Sequence, residues 1–418
     1  MKTLANLRLI DPEEGTESIG WIRFSDHVEE IGKGEGPDGA EDCGGLCIAP
    51  GIIDIGVKIC EPGERHKESY RTAGRAAAAG GVTTMVTRPD TTPVTDTPEM
   101  LEFAVRRARE AAPVHVLPMA ALTKGREGRE MTEIGFLQDA GAVAFTDTDN
   151  PIRDAKVLLR AMSYAKGLGA LIISHPQEPV LSSGAAMTSG AFATKLGLPA
   201  VSPQAERLQL ERDLTLVEMT GCRYHADQIT TAVALPALAR AKEAGLPVTA
   251  GTSIHHLTLN AFDVDDYRTF FKLKPPLRSE DDRLATVEAL ASGLIDIISS
   301  MHTPQDEESK RLPFEEAASG AVALETLLPA ALRLVHSGHL TLPQLFRALA
   351  LNPARLLGLP AGRLSPGAPA DLIVFDPDAP FVLDRFKLHS KSKNTPFDTA
   401  RMQGRVRRTF VSGEDVTP

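Results

Sequence analysis

From Gly51 onward the chain alternates short apolar runs with helix-length amphipathic segments, and no other feature restricts its fold as much. That alternation marks repeated βα units around a parallel sheet. Eight candidate strands can be counted: Gly51–Ile59, Val82–Asp90, Val114–Leu122, Ala142–Asp147, Ala170–Pro176, Arg223–Thr231, Val248–His256 and Ile295–Thr303. Helical stretches lie between most of them. "ESYRTAGRAAAAGG" sets alanines on a packing face and stops at Gly. "TPEMLEFAVRRAREAA" opens on an N-cap Thr, and "DAKVLLRAMSYAKGLG" and "TAVALPALARAKEAGLP" close on Gly. Eight strand–helix units predict an α/β fold, a TIM (β/α)8 barrel over residues 49–350. Glu178–Leu216 and Leu257–Arg278 read as insertions over the barrel mouth. Residues 1–48 and 351–418 have another character, short strands separated by turns, such as "ESIGWIRFSD", "ADLIVFDPD" and "RVRRTFVSGEDV".

Composition excludes several classes of function. In 418 residues, 42% hydrophobic and 24% charged side chains supply the apolar material for a large core. The net charge of -10 repels phosphate backbones, so no nucleic-acid partner is expected. No apolar run approaches the roughly 20 residues that span a bilayer, and no membrane role is expected. "MKTLANLRLIDPEEG" lacks a secretory apolar region and cleavage site, which points to the cytoplasm. Cys43, Cys47, Cys60 and Cys222 read as free thiols, since Cys43 and Cys47 have no second pair of soft ligands at matching spacing.

In a TIM barrel the chemistry sits at the C-terminal ends of the strands. Those ends carry Asp54, Gly56, Lys58 and Cys60, then Arg88 and Asp90, "FTDTDN", and Ser174-His175. The later ones carry His225, Asp227 and Gln228, then His255 and His256, then Met301 and His302. A hydrolytic metal centre needs several N or O ligands converging on one point, with one position left for water. Asp147 and His175 fit such a set, and little else is in register.

The chain resembles the dihydroorotase branch of the amidohydrolase superfamily over nearly its whole length. The resemblance is carried, in family order, by "APGIID", "EPGERHKESYRTAGRAAAAGGVTT", "LTKGREGREMTEIGFLQDAGAVAFTD", "LGLPAVSPQAE", "KPPLRSEDDR", "ALETLLPAAL", "NPARLLGLPAGRLSPGAPADLIVFDP" and "SKSKNTPF". It implies the barrel together with a small β-sandwich built from both chain ends, 1–48 and 351–418, in agreement with the strand reading.

The departures from the family pattern fall on the residues of the chemistry. Gly56 and Lys58 stand where the resemblance implies two metal-binding histidines, and Cys60 where it implies an Arg for the substrate carboxylate. Asp90 and Lys274 replace substrate-contacting Asn residues, Gln228 a metal His, and Met301 the Asp that takes a proton from the attacking water. Asp147 and His175 are retained, and with His302 they are expected to line a vestigial pocket. Glycine cannot ligate, Lys58 repels a divalent cation, and Gln228 is a poor ligand beside imidazole. Without a metal nothing lowers the pKa of water from about 15.7 toward 7. Lys58 is expected to fill the vacated metal position and pair with Asp147.

The expectation is therefore a dihydroorotase-like protein of pyrimidine biosynthesis without catalytic residues, zinc or other cofactor. The resemblance extends to bacterial chains of this kind that associate with aspartate carbamoyltransferase and support its assembly. That enzyme is the expected partner, together with self-association. One alternative is a working cyclic amidohydrolase with an altered site using Lys58, Asp147, His175, His225, Asp227 and His302. A neighbouring strand residue points to the other face, so Asp227 is not expected to stand in for residue 228. Another alternative is a sensor for a pyrimidine intermediate.

Overall fold

A computed structural model describes all residues, 1–418. The first barrel strand, Ile52–Val57, pairs in parallel with Val82–Thr87, which pairs with His115–Pro118. On the other side Leu171–Ser174, Arg223–Ala226, Val248–Ser253 and Ile297–Ser299 form a second parallel run. Val82–Thr87 is buried along its whole length, as a strand covered on both faces must be. The expected fourth strand, Ala142–Asp147, is reduced to single bridges that link Ala120 to Phe145 and Phe145 to Ile172. The ring closes where Lys58 N–H donates to the His302 carbonyl at 2.9 Å. Beside it, the Asp54 carboxylate accepts the Ser300 N–H at 2.8 Å and the Ser300 hydroxyl.

Two helices end on the predicted glycines, Gly80 and Gly169. Tyr70–Ala79 starts with a capping box between Ser69 and Thr72. Ala155–Leu168 is capped by Asp154 and stopped by Gly169, whose φ of 66° suits only a residue without Cβ strain. Thr97 precedes Pro98–Ala111, but its side chain makes no capping hydrogen bond. Two expectations change. The segment expected as one insertion, Glu178–Leu216, divides: Gln204–Thr220 is a helix of the barrel wall, and only the residues before it remain as an insertion. The seventh strand stops at Ser253, whose hydroxyl accepts the His256 N–H and starts the short helix Ile254–Thr258. His255 and His256 are therefore helical.

The chain ends form one sheet. Cys47–Pro50 pairs in parallel with Lys2–Asp11 and antiparallel with Leu372–Val382, so it stitches the two termini together. Both halves surround a core of their own that includes Leu7, Ile22, Phe24, Ile48, Leu372, Val374 and Phe410. The C-terminal part of this sheet begins at Leu372, later than residue 351. Between the two, the helix Asn352–Leu357 sends Ala354 and Leu356 into the barrel interior against Ile53, Ile55, Ile173 and Ile297. That plug closes the barrel floor and leaves the mouth as the face open to chemistry. No helix is long and apolar enough to cross a membrane.

Candidate functional site at the barrel mouth

The mouth is held by charged side chains from five different segments. Arg88, at the end of the second strand, forks onto Asp90 with bonds of 3.1 Å from Nε and 2.8 Å from Nη2. Lys58 reaches the same carboxylate at 3.1 Å. The expected Lys58–Asp147 pair is thus replaced by Lys58–Asp90, because Asp90 lies across the neighbouring strand end while Asp147 is engaged elsewhere. Asp149 joins three cations: Arg126 at 2.8 Å, Lys274 at 3.2 Å and Arg88 at 3.8 Å. Burial acts to raise both carboxyls, but the surrounding cations outweigh it. Arg88 and Lys58 hold Asp90 below the usual range, and Arg88, Lys274 and Arg126 hold Asp149 well below it.

Asp147 does not line the mouth cavity. Its carboxylate accepts N–H groups of Leu122 at 3.0 Å and Thr123 at 2.9 Å, and the Thr123 hydroxyl. It fixes the turn after the third strand, and Asp149, two residues on, takes the place expected for it. His302 is also turned away. Its Nδ1 accepts the Ala323 N–H at 3.1 Å, and its Nε2 lies 3.4 Å from the buried Glu68 carboxylate. Cys60 is buried, and burial pushes its thiol up to about 12, beyond use as a nucleophile or ligand near neutrality. His225 lies in the barrel interior with Nδ1 2.8 Å from the Thr249 hydroxyl, and burial lowers it to about 3.

His175 does face the cavity, together with Asp227, Gln228, Met301, Gly56 and Arg88. The Gln228 amide nitrogen is 3.4 Å from His175 Nδ1. Burial, reinforced by Lys274, lowers His175 to about 3 and keeps the ring neutral. Asp227 and Gln228 both reach the cavity, against the strand-alternation argument. The strand ends at Ala226, and Gln228 has a φ of 54°, so alternation no longer applies. Burial pushes the Asp227 carboxyl up to about 7, opposed by Arg88.

Gly56 and Met301 fit each other. Gly56 has a φ of 97°, and a Cβ there would lie 2.7 Å from the Met301 sulfur. The thioether fills the space a side chain at 56 would use. As a result the cavity offers only about 10 Å³ to the centre of a water molecule. One water needs about 10–15 Å³ on that measure, and ligand pockets span roughly 300–1,000 Å³.

The chain matches a family model described as dihydro-orotase-like over residues 45–233, and an amidohydrolase family model over 324–417. It is 39% identical over 413 residues to a dihydroorotase of Geobacter metallireducens, covering 98% of this chain and 97% of the relative. A dihydroorotase of Anaeromyxobacter dehalogenans is 40% identical over 415 residues, with 98% and 96% covered. Similar solved structures include the L-hydantoinase (dihydropyrimidinase) of Arthrobacter aurescens, with a TM-score of 0.88, 25% identity and 99% and 95% of the chains covered. The dihydropyrimidinase of Brevibacillus agri aligns with a TM-score of 0.85 at 21% identity, covering 99% and 94%.

The chain belongs to the dihydroorotase family.

Within that family's scaffold, the residues at this mouth do not fit a divalent metal. No three His, Cys, Asp or Glu side chains are grouped so as to hold one. Asp147 is spent on main-chain N–H groups, His175 faces an amide, and Lys58 and Arg88 add positive charge at the strand ends. The dihydroorotase scaffold beneath is fully formed. Buried Glu206 accepts the N–H groups of Thr230 and Thr231 at 2.9 Å and faces Arg278 at 3.4 Å. Sequence reasoning overlooked Asp149 and Arg126. The doubled Asp of "TDTDN" was the signal for the first, and the second lies in a turn, with a φ of 57°, that no periodicity marks.

Proposed function

We propose that this dihydroorotase-family protein of pyrimidine biosynthesis acts in the cytoplasm without hydrolysing dihydroorotate. In this reading it carries no zinc and serves as an assembly partner of aspartate carbamoyltransferase. The observation that carries the reading is the filled mouth, where about 10 Å³ remains beside Met301 and the Arg88–Asp90–Lys58 pairs. A cyclic amide with a carboxylate does not enter such a space. Met301, where the family resemblance places an Asp, cannot take a proton from water near neutral pH. A chain with this mouth acts through its surface.

The rim supplies one. The two insertions touch where Phe192 and Phe262 pack at 5.1 Å, and the Tyr267 hydroxyl donates to the Leu196 carbonyl at 2.8 Å. Phe262 itself is 61% exposed, and Val180, on the same insertion as Phe192, is 67% exposed. Apolar and aromatic anchors of this kind sit at the centres of stable interfaces, which bury about 1,200–2,000 Å².

Three measurements test the proposal. Purified protein should hold far less than one equivalent of zinc, with a melting temperature that chelator does not change. Dihydroorotate hydrolysis should stay at background. Mixed with aspartate carbamoyltransferase, the protein should elute far above its 44.8 kDa chain mass, partly through self-association. Separate elution across physiological salt would remove the assembly role. One observation favours a second reading, an altered amidohydrolase: Asp227, pushed up to about 7 by burial, and His175, kept neutral by burial, both line the mouth cavity. Turnover abolished by both Asp227→Asn and His175→Ala would establish it.

A further inference from the structure

The helix Leu327–His336 ends beside the strands Leu372–Val382 and Arg401–Val411, and an open groove of about 640 Å³ lies between them. Ligand pockets span roughly 300–1,000 Å³, so this one has room for a partner's side chains. None of the residues lining it is acidic, and none belongs to the barrel mouth or to the insertions on its rim. Arg333, His336 and Arg401 supply polar walls, and Phe381, Val382 and Met402 apolar ones. Arg333 is half-buried, lies over the Phe397 ring at 5.3 Å and donates to the Arg401 carbonyl at 3.4 Å. Burial lowers its guanidinium, and only Asp263, from beyond ion-pair distance, opposes that. The Arg405 guanidinium lies over the Phe381 ring at 4.6 Å, and neither it nor exposed Arg401 pairs with a carboxylate. The nearby carboxylates are engaged elsewhere. Asp376 takes Arg407 at 3.6 Å, Asp378 faces His336 at 3.4 Å, and Glu41 and Asp415 hold Arg408. With all of these counted, Arg333, Arg401 and Arg405 have no ion-pair partner, in a chain whose net charge is -10.

We infer that this groove is a docking site for an extended acidic segment of a partner protein, with carboxylates on Arg333, Arg401 and Arg405 and an apolar side chain against Phe381 and Val382. Spacing selects a polypeptide over a small anion. Four residues of strand set Arg401 and Arg405 about 13 Å apart, and an extended chain repeats its side chains on one face about every 6.8 Å. The net charge selects against nucleic acid, whose dense phosphates the rest of the chain repels. Guanidiniums resting on aromatic rings are already ordered for carboxylates, which reduces the entropy lost on docking. The inference does not depend on the reading of the mouth.

The test uses the full-length protein and a fluorescein-labelled peptide of glutamates around a central Phe-Leu pair, read by anisotropy. Saturable binding is expected, weakening as salt rises through about 0.1–0.5 M and screens the exposed charges. In the wild-type chain the peptide should slow hydrogen exchange at residues 380–383 and 401–405, a readout that needs no variant. Arg401→Gln with Arg405→Gln should weaken binding roughly tenfold, and Arg407→Gln, whose guanidinium is already paired, by less than about twofold. No binding, equal binding of the same peptide with lysine in place of glutamate, or protection elsewhere on the chain overturns the inference. Binding of polyuridylate at the same residues assigns the groove to nucleic acid and overturns it as well. So does self-association of the protein alone that the Arg401→Gln, Arg405→Gln chain loses, which assigns the groove to a second copy. Each of these outcomes leaves the proposed function to its own zinc, turnover and co-elution measurements.

Discussion

The carboxylates of the mouth and those of the scaffold beneath it are used in opposite ways. Outside the mouth cavity, Asp54 accepts the Ser300 N–H, Glu206 those of Thr230 and Thr231, Glu325 those of His389 and Ser390, and Glu68 that of Lys391. At the mouth, Asp90 and Asp149 are held by side chains: Lys58, Arg88, Arg126 and Lys274. Main-chain donors remain the same whatever side chains a loop carries. A scaffold anchored on them tolerates a complete change of residues at its site. The mouth lattice includes three of the changed residues, Lys58, Asp90 and Lys274, so it occupies positions the chemistry would need.

The sharpest way to break this comparison is to remove an anchor. Glu206→Ala strands Arg278 as a buried uncompensated charge and leaves two N–H groups unpaired, and it should cost about 3–5 kcal/mol in urea unfolding. Glu206→Gln, which keeps an acceptor, should recover part of the loss. Next comes Glu325, which burial pushes up to about 7 from an ordinary value near 4.5. The folded state holds this proton more tightly than the unfolded chain does. Its contribution to stability is therefore fully present below about pH 4.5 and is lost as pH rises through about 7. Glu325→Gln should remove on the order of 2–3 kcal/mol of pH dependence across that window, read from denaturation at pH 5 and pH 8.

Smaller effects are expected at the mouth. Gly56→Ala places a Cβ 2.7 Å from the Met301 sulfur at a φ of 97°, and should lower stability by about 1–2 kcal/mol. Met301→Ala in the same chain should relieve the steric part and leave the backbone part. Asp149→Ala should cost least, about 1 kcal/mol, because its side chain is 36% exposed and its partners can turn to solvent. If Asp149→Ala destabilises as much as Glu206→Ala, the mouth is as much an anchor as the scaffold, and the distinction drawn here fails.

Much of the fold was legible because periodicity and capping are local. The stops at Gly80 and Gly169 and the apolar run Val82–Thr87 each announce themselves within a few residues. The fourth strand is shorter than its composition suggests, since "AVAFTD" makes only the single bridges of Phe145. At the site, the replacements at Gly56, Lys58, Gln228 and Met301 could be read directly, and Gly56, Gln228 and Met301 do meet at one cavity. Their partners could not be read. Asp147 and Asp149 differ by two positions, a spacing that in a regular strand puts both on one face. Thr148, with a φ of 54°, breaks that rule and sends one carboxylate to the Thr123 turn and the other to the mouth.

Residue identities alone established the family scaffold, the βα alternation and the loss of the expected chemical side chains, because each of these is a property of neighbours along the chain. Three-dimensional packing set how the loss is accommodated. Lys58 turns to Asp90, Met301 lies on Gly56, and Asp149 gathers three cations from separate loops. Each of those contacts joins segments distant in sequence. Their geometry depends on how the ring of strands closes, which no local pattern encodes.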